Sequence, residues 1–464
     1  MHRCYILLTI IFLSLKSQLA ISQTIGFRHY NGDSTLVIRN HPGLELEKVL
    51  REHSISDTIP FAIEISYCTI SQKQFLSDLT FKEKLQFDSV IFREELRMHD
   101  IVFTKGLDFR NSIVKEGFHL DDCRFKEDLQ LWHSKLSKLS LWFSNFKTIS
   151  LHENEIRKDF SIFNCSIPIL MVMGSNFLKK TAFTDVRSDY MALRFNQFHD
   201  FDFTRNHFPY DSGRLEILGA KFNGKTYFSQ NELPVEFEFS RVESLNEINL
   251  MNAVSDSVAR PIYIDLIQTD ISKVKLLYSE PYRITTLKRR AIPRDELNSV
   301  YTALAKKQRE DGYLDSYIRL DKEYQDYYYR IMKGGFSGHF ANFIQMIWWG
   351  YGHDKYLIVV WTISAILFFW LWTIVSLEIL LKYGYNIAHL SKRLKKTNAK
   401  YQGWRHVLNR SWLSFWYVNL IFFGFHLDFS RLKFRYWHVT SFICLMHFFG
   451  LLCTAFLINF IILS

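Results

Sequence analysis

Apolar residues recur with a short, nearly fixed period through the long middle part of the chain. From Phe81 the sequence divides into blocks of 11 residues, and apolar side chains occupy block positions 1, 5 and 7. Later blocks shorten to 10 residues; an insertion then interrupts the pattern, which residues 222–232 recover. The first three blocks supply the sets Phe81/Leu85/Phe87, Phe92/Leu96/Met98 and Phe103/Leu107/Phe109.

This period predicts a β-solenoid. Alternating apolar and polar residues over a few positions are typical of a very short strand, and such strands bury their apolar face only when successive coils stack. An α-helix is the competing interpretation, because the length of one block is close to three helical turns. The irregular length of the later blocks and the Phe and Ile content disfavour it. We expect asparagines near the block ends to adopt the left-handed conformation at corners: Asn145, Asn164, Asn176, Asn196, Asn206 and Asn231.

Two long apolar runs near the C-terminus predict membrane-spanning helices at 356–379 and 437–463. Each is long enough to cross about 30 Å of hydrocarbon, which requires about 20 helical residues. Between them, residues 382–410 hold eight Lys and Arg and no acid. By the positive-inside rule this loop is cytoplasmic, so the preceding body lies outside.

A shorter apolar stretch, 412–427, lies between the two spans. At 16 residues it predicts a re-entrant segment, although a third span remains open. Its end carries the residues that we expect at a pore or filter-like site, with the polar ones as candidates for lining a path: Asn419, Phe423, Gly424, Phe425, His426 and Asp428. An alternative for Asn419 is a hydrogen bond to a neighbouring helix.

The N-terminus and the connector complete the predicted organisation. Residues 1–22 have the layout of a secretory signal, with a short uncleaved anchor as the alternative. Residues 23–60 are an N-terminal cap region, and 281–340 are a helical connector in which 295–307 and 313–332 form an antiparallel helix pair. Gly350, Tyr351 and Gly352 precede the first span, so we interpret them as a turn at the membrane surface rather than a filter.

Charge supports this division of the chain. The 57 Lys and Arg exceed the 47 Asp and Glu, and the formal net charge is +10. The signal carries +2 and residues 341–464 carry +9, whereas 23–340 carry −1. The excess therefore lies at the apolar ends and marks the membrane topology, which argues against a nucleic-acid partner.

No catalytic motif is present in the sequence. We find no nucleophile–base pattern, no metal-spaced set of His and Cys, and no nucleotide-binding loop, so we expect a non-enzyme without cofactor or metal. The six cysteines have no zinc or disulfide spacing, and small apolar filling is the role we expect for them.

The blocks resemble the pentapeptide-repeat family, as in Leu107-Asp108-Phe109 and Phe201-Asp202-Phe203. The resemblance implies a right-handed, four-sided β-helix over about 61–280, in which each block is a pair of faces. Proteins of this family often continue into a two-span, ion-channel-like module, which is the arrangement predicted for 341–464. Residues 422–426 are similar in position to a potassium filter, with one matching glycine and one matching aromatic residue.

These observations predict a β-solenoid followed by an α-helical connector and an all-α transmembrane module. We expect a multi-pass protein of the cell (inner) membrane. Its expected function is that of an interaction platform, in which the exported β-helix binds a protein partner. The alternative is an ion channel gated by the solenoid, which would require a homo-oligomer. The lipid bilayer is the one partner common to both.

Overall fold

The computed structural model describes residues 24–30, 33–254, 261–278, 282–284, 293–400, 402–425 and 436–463. The chain divides into two compact units, Met1–Leu320 and Asp321–Ser464. The predicted signal, 1–22, lies outside the described residues.

The first unit contains a β-solenoid of about ten turns over residues 58–284, which confirms the predicted fold. Its strands are short because each turn changes direction at four corners. One sheet contains Thr24–Tyr30, Asp33–Arg39, Ala62–Ser66, Leu85–Asp88, Leu107–Arg110, Asp128–Trp132, Thr148–His152, Ile169–Met173, Tyr190–Arg194, Arg214–Leu218, Glu236–Ser240, Ile262–Asp265 and Tyr282–Ile284.

Two further sheets form the other sides of the turns. The second contains Thr69–Ile70, Gln74–Ser77, Ile91–Phe92, Leu96–His99, Ile113–Val114, Phe118–Asp121, Lys135–Leu136, Leu139–Trp142, Glu155–Ile156, Phe160–Phe163, Asn176–Thr184, Gln197–Thr204, Lys221–Phe222, Thr226–Asn231, Glu243–Ser244, Ile248–Val254 and Val274–Lys275. The third contains Thr58–Ile59, Thr80–Phe81, Val102–Phe103 and Arg124–Phe125.

Parallel pairing between turns explains the sequence period. Leu85 pairs with Leu107, 22 positions later, and Leu129 pairs with Ile149, 20 positions later. Each block of the sequence pattern is therefore half a turn of the solenoid. The apolar positions of successive blocks stack inside, as in the ring series Phe81, Phe103, Phe125 and Phe146, whose neighbouring centroids are 4.5–5.2 Å apart.

The corners differ from our expectation for asparagine. Of the six residues predicted there, only Asn164 has a positive φ; Asp78, Asp100, Asp122 and Asp185 hold equivalent corners. Asn196, Asn206 and Asn231 instead follow the left-handed residue and point inward, fully buried. Asn196 accepts a hydrogen bond from the Ser175 amide at 2.9 Å and donates to the Val172 carbonyl at 2.8 Å. The inward amide therefore bonds the backbone of the neighbouring turns from inside the solenoid.

The same inward position explains three cysteines. Cys68, Cys123 and Cys165 each directly follow a left-handed corner residue, and all three are buried and free. Burial raises the pKa of the Cys123 thiol to about 12. These thiols are unreactive packing groups, as expected from their lack of motif spacing.

Both ends of the solenoid are covered. At the N-terminal end the strand Thr24–Tyr30 pairs antiparallel with Asp33–Arg39, and helix α1 (Leu46–Glu52) buries two leucines. At the C-terminal end helix α2 (Arg294–Glu310) buries one face; its Gln308 amide donates to the Leu276 carbonyl at 2.6 Å. These elements shield the exposed core edges that a solenoid otherwise leaves at its ends.

The second unit is helical. Helix α3 (Leu314–Tyr327) crosses the boundary between the units and leads through a π-helical turn, Tyr328–Lys333, into α4 (Gly335–Trp349). The remaining helices are α5 (Tyr356–Ile379), α6 (Ala388–Lys400), α7 (Trp404–Phe422) and α8 (Trp437–Leu463), with a 3₁₀ turn at Gly350–Gly352 and a π turn at Leu380–Gly384. Two of them, α5 and α8, are long and apolar enough to cross a membrane.

Candidate functional site

Helix α7 ends half-way along both long helices, and this geometry defines the candidate site. Near its start, the Arg410 guanidinium donates to the Ile374 carbonyl at 2.7 Å, close to the C-terminal end of α5. Phe422, the last residue of α7, lies beside Phe369 in the middle of α5, with ring centroids 6.3 Å apart. The segment from Arg410 to Phe422 advances by about 18 Å, about half the thickness of a bilayer core.

Helix α8 runs antiparallel to α5, and its contacts place the end of α7 at the same depth. Tyr436, just before α8, meets Tyr383, just after α5, edge to face with ring centroids 4.7 Å apart, and Phe456 near the other end of α8 contacts Trp349, before α5, at 5.4 Å. Gly450 lies in the middle of α8, and a Cβ there would be 1.7 Å from the Phe422 carbonyl oxygen. The end of α7 therefore packs on the midpoints of both α5 and α8.

The sequence closes α7 with a glycine. Gly424 has φ +76°, the left-handed conformation that commonly ends a helix and that glycine adopts without steric cost. The Ile421 carbonyl accepts a hydrogen bond from Nδ1 of His447 on α8 at 3.1 Å. The Gly424 amide also donates to this carbonyl, at 3.1 Å, so His447 adds a second donor at a helix C-terminus, which carries partial negative charge.

The predicted site residues have different environments. The Asn419 amide donates to the Phe415 carbonyl of its own helix at 2.8 Å, and among the described residues it has no hydrogen bond to a neighbouring helix. Phe423 and Gly424 are half-buried at the end of α7, whereas Phe425 is 77% exposed. His426 and Asp428 lie outside the described residues.

His447 and Gly450 were missed by the sequence predictions. Both lie on α8, well separated from α7 along the chain, so their contacts with its last turn are not local in sequence. A signal was available: a glycine in the middle of a 27-residue apolar helix commonly marks a close helix–helix approach.

A polar network lies at the other end of α5. Asp326 on α3 accepts hydrogen bonds from the Asn342 amide at 2.8 Å and from Arg330 at 2.7 Å. The Tyr351 hydroxyl lies 2.9 Å from the Asn342 amide oxygen, and burial, reinforced by the Asp326 charge, raises the pKa of Tyr351 to about 12. These bonds tie the turn before α5 to α3 and α4.

Two ion pairs extend this network. Nε2 of His353 lies 2.7 Å from Asp321, and Nζ of Lys322 lies 2.6 Å from Asp354. Gly350 has φ +55° and lies against the Asp354 carboxylate, where a Cβ would leave only 2.1 Å to Oδ2. Gly350–Gly352 therefore forms a turn that packs on the Asp354 carboxylate and is hydrogen-bonded to Asn342, in agreement with its interpretation as a turn rather than a filter.

One group on the solenoid has the composition of a metal site. His99, Asp121 and Asp122 bring ligand atoms within 4.8 Å of one another, on partly exposed side chains. His99 and Asp121 form a pair at 3.5 Å, and Arg97 approaches the same carboxylate at 3.8 Å. The arginine offsets the charge that would attract a cation, so we interpret the group as a surface ion-pair network.

Comparison of the chain with protein-family models, curated proteins and solved structures found no match. Inference about function therefore rests on the geometry of each of the two units. The features that bear on function are the end of helix α7 at the midpoints of α5 and α8, the apolar exteriors of α5 and α8, and the surface of the solenoid.

Proposed function

We propose that the protein is a membrane-anchored solenoid whose helical unit holds it in a bilayer. The observation that carries this proposal is the exterior of α5. Val375 is 80% exposed, Leu371 61% and Phe368 60%, on a helix without a charged residue before Glu378. Contiguous exposed apolar side chains of this size require an apolar environment, and lipid satisfies that requirement on all sides of a helix.

The distribution of charge sets the proposed orientation. The basic residues of α6 and of the start of α7 lie between the two spans, so this loop is cytoplasmic and the solenoid is on the opposite side. An export signal at 1–22 agrees with that orientation. The chain is then a multi-pass protein of the cell (inner) membrane with an extracytoplasmic N-terminal domain.

In this location the solenoid serves as an interaction platform for another protein. Phe143 and Phe195 are about half exposed and have φ values of +50° and +56°. A bulky residue in the left-handed conformation is strained, and strained exposed aromatic groups are typical of recognition sites. A partner that covers these rings would account for their presence at positions where aspartate or asparagine is easier to accommodate.

Two experiments test the anchored platform. Carbonate extraction of membranes should leave the full-length chain in the pellet, and its release into the supernatant would contradict the anchor. For the platform, a photoreactive phenylalanine analogue at position 143 or 195 should give a discrete cross-linked protein, and the same analogue at the exposed control Lys126 should not. Equal cross-linking at all three positions would contradict a specific surface.

A second function, an oligomeric ion pore, is favoured by one observation: α7 ends near the mid-depth of the proposed membrane. Half-length helices whose ends meet at the bilayer centre are characteristic of ion and substrate pathways, since a helix C-terminus carries partial negative charge there. A single copy has only two full-length spans among its described helices, so several copies would have to surround the path. Gating would pass from the solenoid through α3.

Currents in planar bilayers test the pore. Phe425→Cys places a thiol at the exposed tip of α7, and a charged thiol reagent should reduce the current of this variant. Ile379→Cys, on the exposed exterior at the end of α5, is the matched control and should be insensitive. Absence of current in the unmodified protein, or equal effects at both positions, would exclude this pore path.

A further inference from the structure

One side of the solenoid has an indentation where a turn is one residue shorter than its neighbours. The strands Ile113–Val114 and Phe118–Asp121 are joined by three residues, and so are Glu155–Ile156 and Phe160–Phe163. Between them, Lys135–Leu136 and Leu139–Trp142 are joined by only two, Ser137 and Lys138. The corner of the middle turn is therefore drawn in toward the core.

The backbone ladder continues across the short corner. The Ser137 amide donates to the Val114 carbonyl at 2.8 Å, and the Ser137 carbonyl accepts from the Lys158 amide at 2.6 Å. Because both main-chain groups are bonded, the indentation is a fixed feature of the stacked turns. It has a volume of about 610 Å³, within the range of small-molecule sites.

Cationic side chains surround the indentation. Lys115 lies on one turn, Lys135 on the short turn, and Arg157 and Lys158 on the next. Glu116 is the one acidic residue among those that line it, and it lies 3.7 Å from Lys158. Arg157 pairs with Glu155 at 2.8 Å outside the lining. Within the described residues, Lys115 and Lys135 have no ion-pair partner, so two positive charges are available to a ligand.

One lining residue, Ser137, also has hydrogen-bonding capacity. Ser137 is only 7% exposed, and its hydroxyl forms no hydrogen bond with any residue that the structure describes. The oxygen itself is open to the indentation rather than enclosed, so it can donate to a ligand oxygen in place of water. Two unpaired lysines and a hydroxyl without a protein partner in the same lining both point to an oxyanion.

We propose that this indentation binds a small ligand, or a lipid headgroup, that carries at least two phosphate or sulfate charges. Lys115 and Lys135 neutralise the anion, Arg157 supplies planar donors at the edge, and the Ser137 hydroxyl donates to one of its oxygens. The volume exceeds that of a single phosphate, so a diphosphate or a phosphorylated sugar fits it better. The site depends neither on the membrane anchor nor on the pore.

Pyrophosphate binding to the full-length protein in detergent, measured by calorimetry, tests the site. We expect one saturable site per chain, whose dissociation constant increases at least tenfold in K115Q/K135Q. The matched control K82Q/K126Q removes two exposed, unpaired lysines elsewhere on the solenoid and should leave the constant unchanged. Ser137→Ala should weaken binding about threefold. Circular dichroism checks that every variant is folded.

Absence of saturable binding, or an equal loss in K115Q/K135Q and in K82Q/K126Q, would overturn the proposal, because it would reduce the effect to general surface charge. Competition then separates the two sources of the ligand. Displacement of pyrophosphate by fructose 1,6-bisphosphate supports a soluble metabolite, and displacement by dihexanoyl phosphatidylinositol 4-phosphate supports a lipid headgroup. Displacement by neither, at concentrations far above that of pyrophosphate, contradicts a site for this class.

Discussion

Replacing Gly450 by alanine should disrupt the junction between α7 and α8. The added Cβ would lie 1.7 Å from the Phe422 carbonyl oxygen, and ordinary contact begins at 3.4 Å. The clash is with backbone, which cannot rotate away as a side chain can. One helix therefore has to move by the difference between these two distances, or the tip of α7 has to unwind.

The energetic cost follows from that displacement. Overpacking a close-packed interface by one methyl group typically costs about 1–3 kcal/mol. Movement of α7 would also stretch the 3.1 Å bond between His447 and the Ile421 carbonyl, which is worth about 1 kcal/mol. We expect a total near the upper part of that range, about 3 kcal/mol, equivalent to about 6–12 °C in melting temperature.

Tryptophan fluorescence is suited to this measurement. Nine of the 11 tryptophans lie within residues 321–464, so the thermal unfolding of the detergent-solubilised chain reports mainly on the helical unit. Gly26→Ala is the control, because a Cβ at Gly26 meets no atom within 4 Å and should leave the transition unchanged. An unchanged melting temperature for Gly450→Ala would refute the close contact between α7 and α8.

Three further predictions concern the solenoid. Phe109→Ala empties a fully buried site between Phe87 and Phe118 and should lower the unfolding free energy by about 3–5 kcal/mol. Urea unfolding followed by circular dichroism measures this free energy, and a cost below about 1 kcal/mol would contradict the stacked core. Phe143→Asn relieves left-handed strain and should stabilise by about 1 kcal/mol in the same assay, and destabilisation would show that the exposed ring packs against the fold. Burial lowers the pKa of His119, and nearby lysine charge lowers it further, so the unfolded chain takes up a proton below about pH 6.5 while the folded chain stays neutral. The contribution of His119 to the unfolding free energy should therefore be full above that pH and be lost as the pH drops through the folded pKa. Between about pH 7.5 and 5.5, His119→Gln should lose less unfolding free energy than the unmodified protein. An identical loss would contradict this assignment.

Local regularity made the solenoid predictable. Each apolar position recurs every half turn, so Phe81, Phe103 and Phe125 identify one buried series before any contact is known. Five of the six predicted corner asparagines lack the left-handed conformation, because propensity alone does not distinguish that position from neighbouring ones, such as the inward position one residue later. Asn196 occupies the second, where its amide bonds to adjacent turns and where serine or cysteine also occurs.

The helical unit was predicted in outline but not in its contacts. Both long helices have the predicted ends, since uninterrupted apolar length specifies them directly. Helix α7 begins at Trp404, eight residues before the predicted segment, and it includes Arg405 and Arg410, whose charge places them in the basic loop of the sequence pattern. Arg410 is accommodated by the α5 carbonyls, a tertiary contact that the sequence pattern does not contain.

The most direct test of the proposed membrane arrangement is the sidedness of two engineered cysteines in a C4S/C444S background. Glu153→Cys lies on the exposed surface of the solenoid, and Ala399→Cys lies on the exposed side of α6. With a membrane-impermeant thiol reagent on intact cells, or on spheroplasts where an outer membrane blocks access, we expect labelling at position 153, and at position 399 only after permeabilisation. Labelling of both positions before permeabilisation, or of position 399 alone, would contradict an exported solenoid joined to a cytoplasmic loop.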